Sequence, residues 1–131
     1  MRILLAEDDF VTRKFMMNFL SKYGDCDVTV DGMEAVDAFM MAMEEDDPYD
    51  LVCLDIMMPV MDGYQALIGI RNIEKEKGIP QEKAVKVIMA TALNEEKNVK
   101  MAFDLGCTIY SGKPINQDRF EQALKKLGLI E

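Results

Sequence analysis

The sequence predicts an α/β fold in which five parallel strands form one sheet with helices on both faces. Five short apolar segments alternate with five amphipathic segments, and short loops connect them. This alternation is typical of a doubly wound sheet, because each strand returns to the sheet through a crossover helix. The segment 51–54 is apolar at every position, as expected for a strand that is buried on both faces.

Apolar runs and turn residues locate the individual strands and helices. The predicted strands are 2–6, 26–30, 51–54, 84–90 and 107–110. Helices follow from apolar residues three or four positions apart and from capping residues at their ends. Three predicted helices cover residues 10–23, 63–77 and 94–105. A further helix begins at 32 and ends in the acidic run 44–47, and the last helix has an apolar stripe from 120 to 127.

The helix starts and stops depend on a few short polar residues and one glycine. The first helix has apolar residues at four-residue spacing, which we expect to face the core: Val11, Phe15, Phe19 and Tyr23. Short acidic side chains precede the first three helices, and a glycine follows the fourth. The expected capping residues are Asp9, Asp31, Asp62 with Gln65, and Gly106.

Composition limits the functions available to the chain, whose 131 residues we predict to form one domain over 1–131. The net charge of −9 argues against direct binding of nucleic acid, which needs clustered Lys and Arg. No apolar run reaches the roughly 20 residues of a membrane span, so we expect no membrane insertion. Cys26, Cys53 and Cys107 have no paired spacing and indicate free thiols in the reducing cytoplasm. Histidine is absent, which excludes His-based zinc sites and Ser-His or Cys-His catalysis.

The predicted strand order brings three acidic residues together. For five such units the commonest order is 2-1-3-4-5, the flavodoxin-like arrangement, in which the first and third strands are neighbours. Glu7 and Asp8 follow the first strand, and Asp55 follows the third. Ligands of open parallel sheets bind at the carboxyl ends of the strands, at this switch point. We therefore predict that the three carboxylates converge on a ligand-binding crevice.

These residue types favour phosphoryl chemistry. Converging carboxylates repel each other unless a cation neutralises them, and Mg²⁺ or Mn²⁺ prefers such oxygen ligands. Thr91 ends the fourth strand and can donate a hydrogen bond to an anion, while Lys113 follows the fifth strand with a charge suited to a phosphoryl oxygen. A carboxylate nucleophile, a divalent ion, a hydroxyl and an ammonium suffice for phosphoryl transfer, which makes Asp55, Thr91 and Lys113 the predicted catalytic residues.

Several of these residues also match the sequence motifs of a known protein family. In order and spacing, the chain resembles the response-regulator receiver domain of two-component signalling (CheY-like), over essentially its whole length. The matching motifs are Glu7-Asp8, Asp55, Met58-Pro59, Asp62-Gly63, Thr91-Ala92 and Lys113-Pro114.

The resemblance implies a role for each residue of the crevice. It implies that Asp55 accepts a phosphoryl group from the phosphohistidine of a histidine kinase or histidine phosphotransfer protein. It further implies that Asp8 binds Mg²⁺ directly, that Glu7 acts through water, and that Met57 contributes its backbone carbonyl to the metal.

The resemblance also implies a switch. Phosphorylation raises the negative charge at the acceptor to near −2, which draws Thr91 and Lys113 towards the new oxygens. Tyr110 would then rotate towards the sheet edge and change the face formed by the fourth helix, fifth strand and fifth helix, where a separate output protein would bind. The Lys113-Pro114 bond would be cis by the same resemblance.

Three other functions fit the sequence less well. A phosphatase or phosphotransferase with an aspartyl-phosphate intermediate typically has a second Asp two residues after its nucleophile, where this chain has Met57. A flavin mononucleotide module needs a hydroxyl-rich loop after the first strand, where this chain has acids. A receiver-like module used only for docking would be expected to lose the acids. The leading prediction is a switch that catalyses only its own phosphorylation and dephosphorylation, without turnover of an external substrate.

Two apolar residues distinguish the predicted crevice. Met57 and Leu93, each two residues beyond a predicted catalytic residue, should impede the approach of water, so we expect a phosphoryl group that hydrolyses slowly. If the chain is complete, its output passes through a separate protein. If it is a fragment, a further domain could follow, and the sequence leaves both possibilities open.

Overall fold

The computed structural model describes residues 1–131, in which strands and helices alternate along the chain as predicted. The strands are β1 (Arg2–Ala6), β2 (Asp25–Thr29), β3 (Leu51–Leu54), β4 (Lys86–Thr91) and β5 (Ile109–Gly112). The helices are α1 (Phe10–Leu20), α2 (Gly32–Glu44), α3 (Gly63–Glu76), α4 (Glu96–Asp104) and α5 (Gln117–Lys126), with a short 3₁₀ turn at Gln81–Lys83. None of the helices has both the length and the apolar composition needed to cross a bilayer.

The five strands are parallel and lie in the order β2-β1-β3-β4-β5, which confirms the predicted flavodoxin-like arrangement. In the register of the central pair, Leu5 lies opposite Cys53 and Ala6 opposite Leu54. The carboxyl ends of β1 and β3 are therefore neighbours, which places the residues that follow them at one edge of the sheet.

Two apolar cores cover the two faces of the sheet. Alternate residues of a strand point to opposite faces, so Leu4 and Ala6 join one core while Ile3 and Leu5 join the other. The larger core also includes buried residues of α2, α3 and α4, and the smaller one includes buried residues of α1 and α5. All four residues of β3 are buried, as its uniformly apolar sequence predicts.

The prediction for the buried face of α1 was wrong in its first half. Phe19 is buried, but Val11 and Phe15 have 73% and 39% of their surface exposed, while Met16 and Leu20 are buried instead. An α-helix turns about 100° per residue, so a strict four-residue spacing drifts by about 40° at each step. The buried stripe therefore follows the mixed three- and four-residue spacing of 16, 19 and 20.

The predicted capping residues occupy their expected positions, although several helices end one to three residues from the predicted bounds. The side chain of Asp9 accepts from the Thr12 N–H at 2.9 Å, and Asp62 and Gln65 form a reciprocal capping box at the start of α3. Gly106, just beyond α4, has a φ of 104°, which is in the left-handed region that favours glycine.

A buried ion pair joins α3 to the amino ends of β4 and β5. Arg71 Nη1 contacts Glu74 Oε1 at 2.7 Å, and Glu74 Oε2 accepts from the Val85 N–H at 2.6 Å. The guanidinium also donates to the carbonyls of Val85 and Gly106 at 2.7 to 3.1 Å. Glu74 is 5% exposed, so its charge depends on these partners rather than on water.

Arg71→Ala should lower the free energy of unfolding by about 3 kcal/mol, because it leaves the buried Glu74 carboxylate without its cation. Urea unfolding followed by circular dichroism measures the change. The matched control is Lys100→Ala, which removes an exposed partner of Asp104 and should leave the unfolding midpoint unchanged. Equal shifts in the two variants would contradict the role assigned to the Arg71 network.

Candidate functional site

The first feature of the site is a pair of chain segments that leave the sheet side by side. The Glu7 N–H donates to the Thr29 carbonyl and the Asp55 N–H donates to the Ala6 carbonyl, both at 3.1 Å. The backbone hydrogen bonding thus continues one residue beyond β1 and β3. Backbone hydrogen bonds of the sheet hold both acidic residues, so the backbone positions from which their carboxylate side chains extend are fixed.

The carboxylates of Glu7, Asp8 and Asp55 converge at this edge, as the strand order predicts. One oxygen from each lies within 4.8 Å of the others. Glu7 and Asp55 are buried, with 2% and 6% exposed surface, whereas Asp8 is exposed at the mouth of the crevice. Three oxygen donors at this spacing fit a hard divalent cation that also keeps water ligands, and the cluster could bind such a metal.

Lys113 joins the two buried acids. Its Nζ lies 2.6 Å from Glu7 Oε1 and 2.8 Å from Asp55 Oδ2. Its backbone N–H donates to the Thr91 carbonyl at 2.9 Å, which holds the residue just beyond β5 against the end of β4. The following bond to Pro114 is cis.

Burial and charge change the protonation of two of these groups. Burial, together with the negative charge of Asp55, raises the pKa of Glu7 to about 7, although the contact with Lys113 opposes the shift. For Lys113, burial alone would lower the pKa, but the hydrogen bonds to Asp55 and Glu7 outweigh it and raise the pKa above its usual value. Lys113 is therefore a fixed positive charge, while Glu7 gains or loses a proton near neutral pH.

Thr91 and Tyr110 are close in space but do not contact Asp55 by hydrogen bonds. Thr91 is fully buried at the end of β4, and its hydroxyl accepts from the Leu93 N–H at 3.3 Å. Tyr110 lies within β5, partly buried against the larger core, and its hydroxyl donates to the Leu93 carbonyl. The two predicted switch residues are thus joined through one residue of the β4–α4 loop.

The loop between β3 and α3 wraps closely around Asp55. The Met57 N–H donates to Asp55 Oδ1 at 3.3 Å, and the Met57 side chain is 61% exposed. A Cβ at Gly63 would lie 2.2 Å from the Asp55 carbonyl oxygen, so only glycine fits there. Val60 has a φ of 69°, which is strained backbone for a β-branched residue.

Two polar contacts near the site were not predicted from the sequence. Arg13 Nη1 donates to the carbonyls of Glu7 and Asp8 at 3.1 and 3.2 Å, and so holds the turn that carries both acids. An arginine one turn into the helix after an acidic loop was the available signal for this contact. The hydroxyl of Tyr64 donates to Asn98 on α4, and no local pattern could have indicated a pair separated by 34 residues.

Comparisons with known proteins agree with this geometry. The family model of the response regulator receiver domain matches residues 3–125. A probable histidine kinase 2 of Oryza sativa subsp. indica is 33% identical over 134 residues, a match that covers 95% of this chain and 12% of that protein. The chain therefore spans only a small part of this relative.

Solved structures show the same fold. The CheX-CheY-BeF3-Mg²⁺ complex of Borrelia burgdorferi superposes with a TM-score of 0.81 at 26% identity, covering 99% of this chain and 90% of that chain. The complex of the Saccharomyces cerevisiae histidine phosphotransfer protein Ypd1 with the receiver domain of Ssk1 superposes with a TM-score of 0.83 at 25% identity. The match covers 98% of this chain and 88% of that chain. With its strand order, its convergent acids and a family match over most of its length, the chain belongs to the response regulator receiver domain family of two-component and phosphorelay signalling.

Proposed function

We propose that this receiver domain is a phosphoryl-accepting switch and that Asp55 is its acceptor. The observation that carries the proposal is the position of the Lys113 ammonium, in contact with both Glu7 and Asp55 at the carboxyl edge of the sheet. This contact places a permanent cation beside the carboxylate that would be phosphorylated. Lys113 can pass to a phosphoryl oxygen without leaving the crevice, because its side chain is already directed there.

The transfer step is a substitution at phosphorus. A carboxylate oxygen of Asp55 attacks the phosphorus of a partner's phosphohistidine, an O–P bond forms and the P–N bond breaks. The electron pair of the broken bond stays on the imidazole nitrogen, which takes up a proton from water. The 131 residues contain no histidine, so the phosphohistidine that serves as the donor lies outside this sequence, in a histidine kinase or a histidine phosphotransfer protein.

The acidic cluster fits Mg²⁺, or Mn²⁺, as the cofactor of this step. With all three carboxylates ionised and one ammonium present, the crevice has a net charge of −2, which a divalent ion would neutralise. Asp8 and Asp55 would bind the metal directly, Glu7 would act through water, and the Met57 carbonyl would complete the protein ligands. The ion supplies electrostatic stabilisation of the phosphoryl oxygens.

Phosphorylation would be read out through Thr91 and Tyr110. A phosphoryl group near −2 attracts the Thr91 hydroxyl, which must then change its contact with the Leu93 N–H. Because the Tyr110 hydroxyl donates to the carbonyl of the same Leu93, movement of the loop would also change the position of the Tyr110 side chain at the sheet edge. The proposed result is a change in the α4-β5-α5 face, to which α4 contributes Met101 as an exposed apolar side chain for an output partner.

The donor and the output partner would use different surfaces. Phe10 and Val11, at the start of α1, are 65% and 73% exposed and form an apolar surface beside the crevice for the protein that carries the phosphohistidine. A receiver domain of yeast is known in complex with such a phosphotransfer protein. We also propose a cytoplasmic location, because Cys26, Cys53 and Cys107 are all free thiols.

Incubation with acetyl phosphate and Mg²⁺ tests the acceptor. Intact-mass measurement should show the gain of one phosphoryl group, and the gain should disappear in Asp55→Asn and after chelation of the metal. Asp37→Asn, which removes an exposed acid of α2, is the matched control and should be labelled like the unaltered chain. Labelling of Asp55→Asn would contradict the assignment, and the absence of any labelling would favour a module used only for docking.

Removal of Asp8 tests the metal site independently of phosphorylation. A ligand at about ten times its dissociation constant stabilises the folded state by about 1.4 kcal/mol, which for a chain of 131 residues corresponds to a Tm increase of roughly 5 °C. We expect this increase on adding Mg²⁺ to the unaltered chain and to Asp37→Asn, and less than half of it in Asp8→Asn. Thermal denaturation provides the measurement, and an equal response of Asp8→Asn would exclude Asp8 as a ligand.

Met57 and Leu93 should determine how long the phosphoryl group lasts. In hydrolysis a water oxygen attacks the phosphorus and the bond to Asp55 breaks, and polar side chains would orient this water where the present ones do not. Met57→Asn with Leu93→Glu should accelerate loss of the phosphoryl group about tenfold, equivalent to about 1.4 kcal/mol of barrier. The time course of the intact mass measures it, with Met41→Asn on the exposed side of α2 as the control. An unchanged half-life would contradict this role.

A further inference from the structure

α4 is the most weakly anchored helix of the fold. Of its nine residues only Ala102 is buried, and Glu95 at its start provides no side-chain hydrogen bond to the first turn. α3, by comparison, buries six residues and has a complete capping box. Segments with few buried apolar contacts open and shift at low free energy, so a single additional bond changes the position of α4 measurably.

Two tyrosine hydroxyls hold the amino-terminal end of α4 from different elements. Tyr110 of β5 donates to the Leu93 carbonyl in the loop before the helix. Tyr64 of α3 reaches the first turn of the helix, where its hydroxyl lies 3.2 Å from the Asn98 carbonyl oxygen and 3.3 Å from Asn98 Oδ1. Both rings pack against the larger core, which fixes the direction of each hydroxyl.

Tyr64 is also closely connected to the proposed phosphoacceptor. It follows Gly63, whose backbone lies against the Asp55 carbonyl and whose N–H donates to the Ile56 carbonyl at 2.8 Å. The capping box of Asp62 fixes the same turn. The backbone that carries Tyr64 therefore cannot move independently of the backbone that carries Asp55.

We propose that Tyr64 is a positioning residue, whose hydroxyl couples Asp55 to α4 through the first turn of α3. The proposal rests on the phosphoryl-accepting function proposed above and adds a second connection to the one through Thr91 and Tyr110. The bond to Asn98 holds α4 in the packing in which the Thr91 hydroxyl accepts from the Leu93 N–H. Moving Thr91 towards a phosphoryl group shifts the adjoining β4–α4 loop, and this bond resists that shift.

Linkage gives the direction of the effect. A bond that is stronger in one of two packings biases the equilibrium towards that packing, and any ligand that prefers the other binds more weakly as a result. Loss of the Tyr64 hydroxyl should therefore strengthen the binding of a phosphoryl mimic at Asp55. Metal binding alone does not require Thr91 to move, so the affinity of the chain for Mg²⁺ should not change when the Tyr64 hydroxyl is lost.

Calorimetric titration with beryllofluoride, a tetrahedral phosphoryl mimic, at saturating Mg²⁺ tests the proposal in the full chain. Tyr64→Phe should bind the mimic about 3- to 10-fold more tightly, the effect of one hydrogen bond, while the affinity for Mg²⁺ alone changes less than about twofold. The matched control is Tyr49→Phe, which removes a hydroxyl that donates to Asp27 near the opposite edge of the sheet. This control should bind the mimic with the affinity of the unaltered chain.

A second measurement separates positioning from a general loss of stability. Hydrogen exchange of the amide groups in α4 should accelerate in Tyr64→Phe, while exchange in α1 and α5 stays unchanged. General destabilisation would lower the Tm without strengthening the binding of the mimic.

Each remaining outcome overturns a specific claim. If the unaltered chain binds the mimic and Tyr64→Phe binds it equally or more weakly, the positioning role is wrong and the phosphoryl-accepting function stands. An equal gain in Tyr49→Phe would also overturn it. If the unaltered chain does not bind the mimic with Mg²⁺, the proposed function fails and the role of Tyr64 fails with it.

Discussion

The site depends on the contact of one ammonium with two buried carboxylates. Without Lys113, Glu7 and Asp55 would place two negative charges in a region that is almost inaccessible to water, which is strongly unfavourable. The Lys113 ammonium offsets one of these two negative charges. The second negative charge remains available for a metal cation or an incoming electrophile. Burial, together with the charge of Asp55, outweighs the contact with Lys113 and raises the pKa of Glu7, so a divalent ion in the crevice would stabilise the charged form of this carboxylate.

The sheet produces this arrangement from residues that are far apart in sequence. Parallel pairing sets β1 between β2 and β3. The Glu7 N–H extends the β1–β2 pairing to the Thr29 carbonyl, and the Asp55 N–H extends the β1–β3 pairing to the Ala6 carbonyl. Lys113 reaches the same point from β5, two strands away, because its backbone is bonded to the end of β4. Five strands are thus required to hold a site whose reactive part consists of four side chains.

The sequence predicts the strands, their order and the convergence of Glu7, Asp8, Asp55 and Lys113, because all of these follow from hydrophobic patterning and from one rule about strand ends. Element boundaries shift by one to three residues, since the last turns of helices and the ends of strands depend on local hydrogen bonding. The face of α1 was misassigned because a regular spacing of apolar residues is not the helical period. The contact of Tyr64 with Asn98 could not be predicted, because it depends on how two helices pack.

The uneven strength of packing explains where such a fold can respond to a change of charge. β3 and the start of α3 are buried, capped and closely fitted around Asp55, so an added phosphoryl group cannot move them easily. α4 has one buried residue and is held at its start mainly by hydroxyl contacts from neighbouring elements. In the proposed switch, a phosphoryl group at the rigid edge would therefore shift α4 rather than β3 or the start of α3. The exposed apolar residues of α4 lie in that part, so in the proposed switch a movement of a few contacts would change the surface offered to an output partner.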